Sequence, residues 1–381
     1  MTKRADLAER DLRFKRIREA MEQGGLAALV VAGHGSHFNR GYIRYFADWH
    51  LWAGDALILI PLAGEPALAM TAYAGADTPA EPWITDVRRA VYPQEKIVKA
   101  MKERGLIKGK VGIAGLKRVI TVGAYETLKN AFPNVEFVDA DVMVDRVRVV
   151  KSPLEIQQYR DLWELSKAAM QSFIGVLEPG KTQREVAAEV AAVLRAGGCF
   201  DDMTVIQEGT RRGLPKDVPL RCDDLVGYHM EVCGESGHWS EIDITCAFRE
   251  QTELEQKRLD SELRAYDEIR KMAKPGVKLS DMANTFERVL VEDGWKLGEQ
   301  SIHFDFHGHG MDDVQWPWYS PQPDHNQDAV IEEGMVLCYH PSRNTIPTVV
   351  WGPRITDDIL ITANGAERLS GDWDLHWRIM R

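Results

Sequence analysis

Cysteine is scarce in this 381-residue chain, which carries five: Cys199, Cys222, Cys233, Cys246 and Cys338. Their odd number and the lack of CxxC spacing argue against a disulfide framework or a structural zinc site, and they suit a reducing cytoplasm. Long apolar runs are missing too, since LAALVVAG and ALILIPLAG are far too short to span a bilayer. The opening MTKRADLAERDLRFKRIREAMEQ has no apolar stretch and reads as an amphipathic surface helix rather than an export signal. Basic charge is in deficit, 47 Lys and Arg against 58 Asp and Glu, for a net charge of −11. With no basic patch to override that field, nucleic acid and anionic membranes are not expected partners. There is also no GxGxxG after a strand, no GxxxxGK[ST], no GxSxG and no HExxH, which disfavours a dinucleotide or ATP enzyme.

What is present is an ordinary globular composition, 44% hydrophobic and 28% charged, long enough for two or three domains. From about residue 26 to 140, short apolar runs (AALVVAG, ALILI, KVGIAG, VEFVDA) alternate with helical stretches, the pattern of an α/β layer domain. A charged stretch turning into a helix at Ser152-Pro153 marks a junction, giving an N-terminal α/β domain over 1–150 and a second domain over 151–381. The second domain repeats internally. Helix, Pro-Gly, helix recurs at a constant offset of 96 residues (179 to 275, 194 to 290, 198 to 294), each copy leading into strands near 224–248 and 334–362. Such repeats pair about a pseudo-twofold axis, and the crevice between them is a natural ligand site.

Read with the period of two expected of strands, LVGYHMEVC places His229 and Glu231 on one face, and HWSEIDITCAF places Trp239, Glu241 and Asp243 together. Histidines concentrate nearby: His229, His238, His303, His307, His309, His325 and His340, seven of the 11 in the chain. Glycines flank His309 in HFDFHGHGMDD and leave its imidazole accessible. Trp316 and Trp318 in VQWPWYSP, with Trp239 and Trp351, offer an aromatic wall for a small molecule.

The order of these segments resembles the creatinase, prolidase and aminopeptidase P superfamily, peptidase family M24, with the pita-bread fold. RVVKSPLEI resembles its "R..K...E" junction, FHGHGM its GHGIG segment, EEGMVLCYHPS its "PGMV…EP" and GPRITDDILIT its "RIED…LVT". The resemblance implies an α/β N-terminal domain plus an α+β pita-bread C-terminal domain. It also implies a homodimer in which the first domain caps the neighbour's site, with His50 and Trp52 of DWHLW reaching the partner's pocket. The family's dimetal ligands fall on His229, Glu241 or Asp243, His309, His340 and Thr356, so its carboxylates are partly replaced.

Two readings of that altered site follow. In one, no metal binds and a histidine (His309, His229 or His340), with Glu241, Glu231 or Asp243, serves as general acid and base. In the other, His229, Glu241, His309 and His340 hold a single divalent transition ion, Zn, Fe or Mn. The leading expectation is a cytoplasmic, homodimeric, creatinase-like enzyme that hydrolyses or eliminates a C–N or C–O bond in a non-peptide small molecule. His50, Trp52, Trp239, Trp316 and Trp318 would line its pocket, and Arg354 would pair with a substrate carboxylate. The alternatives are a metal-dependent Xaa-Pro peptidase and an inactive pita-bread binding protein.

Overall fold

The computed structural model describes residues 5–73, 75–77, 81–208, 211–296, 304–320, 327–339 and 355–380. They divide into two compact units. One runs to Val149 and includes Gly310–Asp313, and the other takes Val150–His309 and continues from Val314. Among the described residues no helix is long and apolar enough to cross a membrane, and the five cysteines are free and buried.

The first unit contains helices α1 (Leu7–Gln23), α2 (Gly41–Ala47), α3 (Pro93–Glu103), α4 (Val122–Ala131) and α5 (Asp141–Val149). Its strands are β1 (Ala28–His34), β2 (His50–Leu51), β3 (Asp55–Pro61), β4 (Ala67–Met70), β5 (Gly75–Asp77), β6 (Asp86–Arg89), β7 (Gly109–Ala114) and β8 (Val135–Asp139). Six of them form one sheet in the order β6-β4-β3-β1-β7-β8. Alternate residues of β1 serve opposite cores. Leu29 and Val31 pack with Phe14, Ile17 and Met21 of α1, whereas Val30 and Ala32 pack with Ile97 and Met101 of α3 and Leu128 of α4. A strand covered on both faces must be apolar throughout, which accounts for the unbroken AALVVAG run.

The second unit is built twice over from a helix pair and a five-stranded sheet. Helices α6 (Pro153–Val176) and α7 (Gln183–Ala196) accompany β9 (Asp201–Glu208), β10 (Arg211–Gly213), β11 (Leu225–Cys233) and β12 (Trp239–Ala247). Helices α8 (Glu253–Met272) and α9 (Leu279–Glu292) accompany β13 (Phe306–Gly308), β14 (Gln315–Tyr319), β15 (Val336–Tyr339), β16 (Asp357–Thr362) and β17 (Gly365–Arg368). The short β18 (Arg378–Ile379) closes the first sheet, giving β10-β9-β11-β12-β18 beside β14-β13-β15-β16-β17. Capping boxes start α6 (Ser152, Glu155), α7 (Thr182, Glu185) and α8 (Thr252, Glu255). The repeated Pro-Gly pairs turn the chain between helices, with Gly180 at φ 88° and Gly276 at φ 96°, left-handed values that favour glycine.

The core of this unit's first half lies on one face of the β11–β12 hairpin. Tyr228, Met230, Val232, Ile242, Ile244 and Cys246 pack with Tyr159, Trp163 and Phe173 of α6 and Val186 and Val190 of α7. In the second half Tyr266 of α8 stacks on Tyr339 of β15, with ring centroids 4.6 Å apart.

Candidate active site

The face of the hairpin turned away from that core carries the polar residues. Antiparallel pairing sets His229 against Asp243 and Glu231 against Glu241, so all four share one face, as the period of two requires. The turn joining the strands is fastened to the start of α6. There the buried His238 ring meets Ser236 through Nδ1 (3.1 Å) and Glu155 through Nε2 (3.3 Å). Glu155, from the junction segment, thus both caps its helix and steadies the hairpin.

The other sheet supplies the opposing donors. His307 of β13 pairs across the ladder with Cys338 of β15, which in turn pairs with Asp358 of β16. The backbone of His309 continues this pairing, its N–H donating to the Val336 carbonyl (3.1 Å). Gly308 permits the approach, because a Cβ there would run into the Trp316 carbonyl oxygen.

Glu241 is the meeting point. His229 Nδ1 lies 3.6 Å from its Oε1, while His307 Nε2 lies 3.5 Å from Oε2. Cys338 Sγ donates to the same Oε2 at 3.4 Å. Donor atoms of Glu241, His307, His309 and Cys338 all fall within 4.8 Å of one another, and so do those of His229, Glu241 and Asp243. All of these side chains are buried. Such a gathering of carboxylate, imidazole and thiol suits a transition ion, so the residues fit the metal that the resemblance implies.

Electrostatics separates the two groups. His229 Nε2 faces Glu231 (3.1 Å) and its Nδ1 faces Asp243 (3.2 Å). Burial works against charging this ring, but Asp243 above all, with Glu231 and Glu241, overrides it and pushes its pKa up to about 10. The Thr356 hydroxyl donates to Asp243 Oδ2. His309 is held from behind, its Nδ1 2.7 Å from Asp358 Oδ1, while Trp163 Nε1 donates to Asp358 Oδ2 at 2.9 Å.

Of the residues singled out in the sequence, His229, Glu231, Glu241, Asp243 and His309 come together in this way. Trp239 opens β12 on the same face but is only 1% exposed. Trp316 and Trp318 are partly exposed on β14, and Trp318 lies with its ring 6.3 Å from that of His307 while donating to Asp305 (3.0 Å). His50 is buried in β2, and Trp52 is exposed, both in the first unit. His340 and Arg354 lie outside the described residues. The sequence reading assigned no role to His307, Cys338, Asp358 or Trp163. The HxH spacing of 307 and 309 and the CxH spacing of 338 and 340 were the available signal, since residues two apart on a strand share a face.

Comparison with known proteins completes the picture. Residues 157–363 match the family model for metallopeptidase family M24, and residues 13–150 that for the creatinase/prolidase N-terminal domain. An Xaa-Pro dipeptidase of Pyrococcus horikoshii is 29% identical over 286 residues, covering 73% of this chain and 78% of that protein. The Xaa-Pro dipeptidase of Pyrococcus furiosus is 29% identical over 265 residues, covering 67% and 73%. Among solved structures, the prolidase from Pyrococcus horikoshii aligns with a TM-score of 0.75 and 25% identity, over 96% of this chain and 99% of its own. An Xaa-Pro dipeptidase from Bacillus anthracis shares the fold with a TM-score of 0.76 at 20% identity, over 97% and 100%.

These likenesses bear out the α/β domain followed by a pita-bread domain. They overturn the creatinase-like reading with a non-peptide substrate, and they give the lyase alternative no support, because the matched relatives are named as dipeptidases and prolidases. That reading weighed carboxylates lost at motif positions. It grouped His307 with the other histidines but gave it no ligand role, and it passed over Cys338; the strands bring both to the same place. The chain belongs to metallopeptidase family M24 and carries a creatinase/prolidase N-terminal domain.

Proposed function

We propose that the protein is a metal-dependent hydrolase of short peptides, acting on Xaa-Pro dipeptides as its named relatives do. The observation that carries this reading is the convergence of buried ligand-type side chains on Glu241. Three buried or nearly buried carboxylates, Glu231, Glu241 and Asp243, share the one raised imidazole of His229, and a bound metal offsets the remaining cost of burying them together. When bound there, the ion supplies Lewis acidity toward the scissile carbonyl and acidifies water.

This chain's own residues then position and exchange protons. Glu241 and His309 are the donors that the motif reading and the strand geometry share. Glu231, whose side chain keeps 14% exposure where its neighbours are buried, holds a proton in exchange with His229 Nε2. Trp316 and Trp318 present apolar faces suited to a proline ring. Arg354 pairs with the free carboxylate of a dipeptide as a bidentate fork. We also take the protein to work in the cytoplasm as a homodimer, with His50 and Trp52 at the neighbour's site. The 68% exposure of Trp52 supports that placement.

Untagged protein, freed of metal and resupplied with Zn, Fe(II), Mn or Co, is to be assayed for proline release from a panel of Xaa-Pro dipeptides, with dipeptides lacking proline as controls. Proline release that a chelator abolishes is the expected outcome. A flat result across panel and metals would remove the reading.

A further inference from the structure

The motif positions do not include the one soft donor of the cluster. From its placement we infer that Cys338, with His307, His309 and Glu241, forms a single-ion shell selective for thiophilic transition metals over Mg, Ca and Mn. The inference rests on reading this strand face as the metal centre, and it is independent of which peptide is cut.

Four observations support it. First, the four donors come from separate places on β12, β13, β15 and the turn after β13, and their ligand atoms lie within 4.8 Å of one another, wholly buried. Second, each imidazole is oriented by an oxygen on its far nitrogen. His307 Nδ1 meets the Gly308 carbonyl (3.1 Å) and His309 Nδ1 meets Asp358 (2.7 Å), so Nδ1 donates in each ring and Nε2 is the nitrogen left to an ion. Carboxylate or carbonyl behind a histidine is the usual support for a metal ligand. Third, that support continues outward to Trp163, whose Nε1 holds the remaining oxygen of Asp358. A histidine packed for shape alone has no need of such a relay. Fourth, the Cys338 thiol already points at the shared oxygen, Glu241 Oε2, at 3.4 Å.

The donor set distinguishes this shell from one of carboxylates alone. Thiolate and imidazole favour Zn, Fe(II) and Co(II), whereas carboxylate and carbonyl oxygens suit Mg, Ca and Mn. On binding, the Cys338 S–H bond is exchanged for an S–metal bond and the proton leaves to solvent, so uptake of the ion releases acid.

Cobalt(II) is the probe. Titrated into untagged, metal-free protein, it is expected to bind once per chain and to give a near-ultraviolet sulfur-to-cobalt charge-transfer band. Cys338→Ser should lose that band, while Cys246→Ser, in the apolar core, should keep it. If Cys338→Ser does not fold, cobalt X-ray absorption on the wild type reads the Co–S contact directly. Stoichiometric cobalt with no charge-transfer band, a band that survives Cys338→Ser, or no cobalt bound would each overturn the inference. Because the readout needs no turnover, a sulfur-ligated but peptide-inert protein would refute the peptidase reading and leave this one standing.

Discussion

In the first unit Arg148 lies between Asp312 (2.9 Å) and Asp145 (3.6 Å), with its guanidinium 4.5 Å from the Tyr42 ring centroid. In the second, Glu241 lies among His229, His307 and Cys338. Both networks are buried, and both would be expensive if left uncompensated. The first answers each carboxylate with a fixed guanidinium, a tyrosine hydroxyl (Tyr42 to Asp145, 2.8 Å) or a backbone N–H (Gly41 to Asp312, 2.8 Å). The second gathers imidazoles, a thiol and carboxylates whose shared property is affinity for a metal ion. A network closed by its own charges holds a fold, whereas one built of ligand-type side chains is, on the proposed function, completed by an ion from solution. Losses in the first should therefore appear as stability, and losses in the second as metal and turnover.

The largest expected effect is on the closed network. Arg148→Met leaves buried carboxylates without their cation and should cost about 3–5 kcal/mol of unfolding free energy in denaturant titrations, with or without metal. A loss confined to the metal-loaded protein would erase the distinction. Next, zinc at about 100 times its dissociation constant should stabilise the wild type by about 2.7 kcal/mol, and should do nothing for Glu241→Gln. Asp358→Asn keeps the strand but weakens the hold on His309, and chelator competition should find zinc bound about 10–100-fold more weakly.

A smaller effect is read in pH. Burial, only partly offset by Arg148 and the Tyr42 hydroxyl, pushes Asp145 up to about 6 from its ordinary 3.8. For an acid raised in this way, the stabilising contribution is fully present below the ordinary value and is lost as pH rises through about 6. Asp145→Asn should flatten the stability profile between those values, and an unchanged slope would contradict the assignment. Smallest of all, the exposed pair Arg160–Glu367 (2.9 Å) should yield under about 0.5 kcal/mol on Glu367→Gln.

The polar face of the hairpin was legible in the sequence because alternation is a local property. Ile242 and Ile244 mark the core side, so Glu241 and Asp243 must take the other. The helix pairs were legible for a similar reason, since Pro-Gly turns and their spacing repeat within the chain. His307 and Cys338 were harder to assign, because their pairing is a cross-strand register set by residues about 30 apart, which no short window contains. The same holds for Asp358 and Trp163, joined across 195 positions. The substrate expectation failed for a related reason. Substitutions at motif positions were visible in the sequence, while the compensating donors became visible only once the strands were paired.

The central claim is that the strand face around Glu241 holds the metal on which peptide hydrolysis depends. Its most direct test titrates zinc into metal-free, untagged enzyme while following bound metal and proline release from one Xaa-Pro dipeptide in the same samples. The account predicts that turnover rises in proportion to bound metal, and that both vanish in Glu241→Gln while the fold persists. Full turnover in the presence of chelator, or metal retained undiminished by Glu241→Gln, would contradict it.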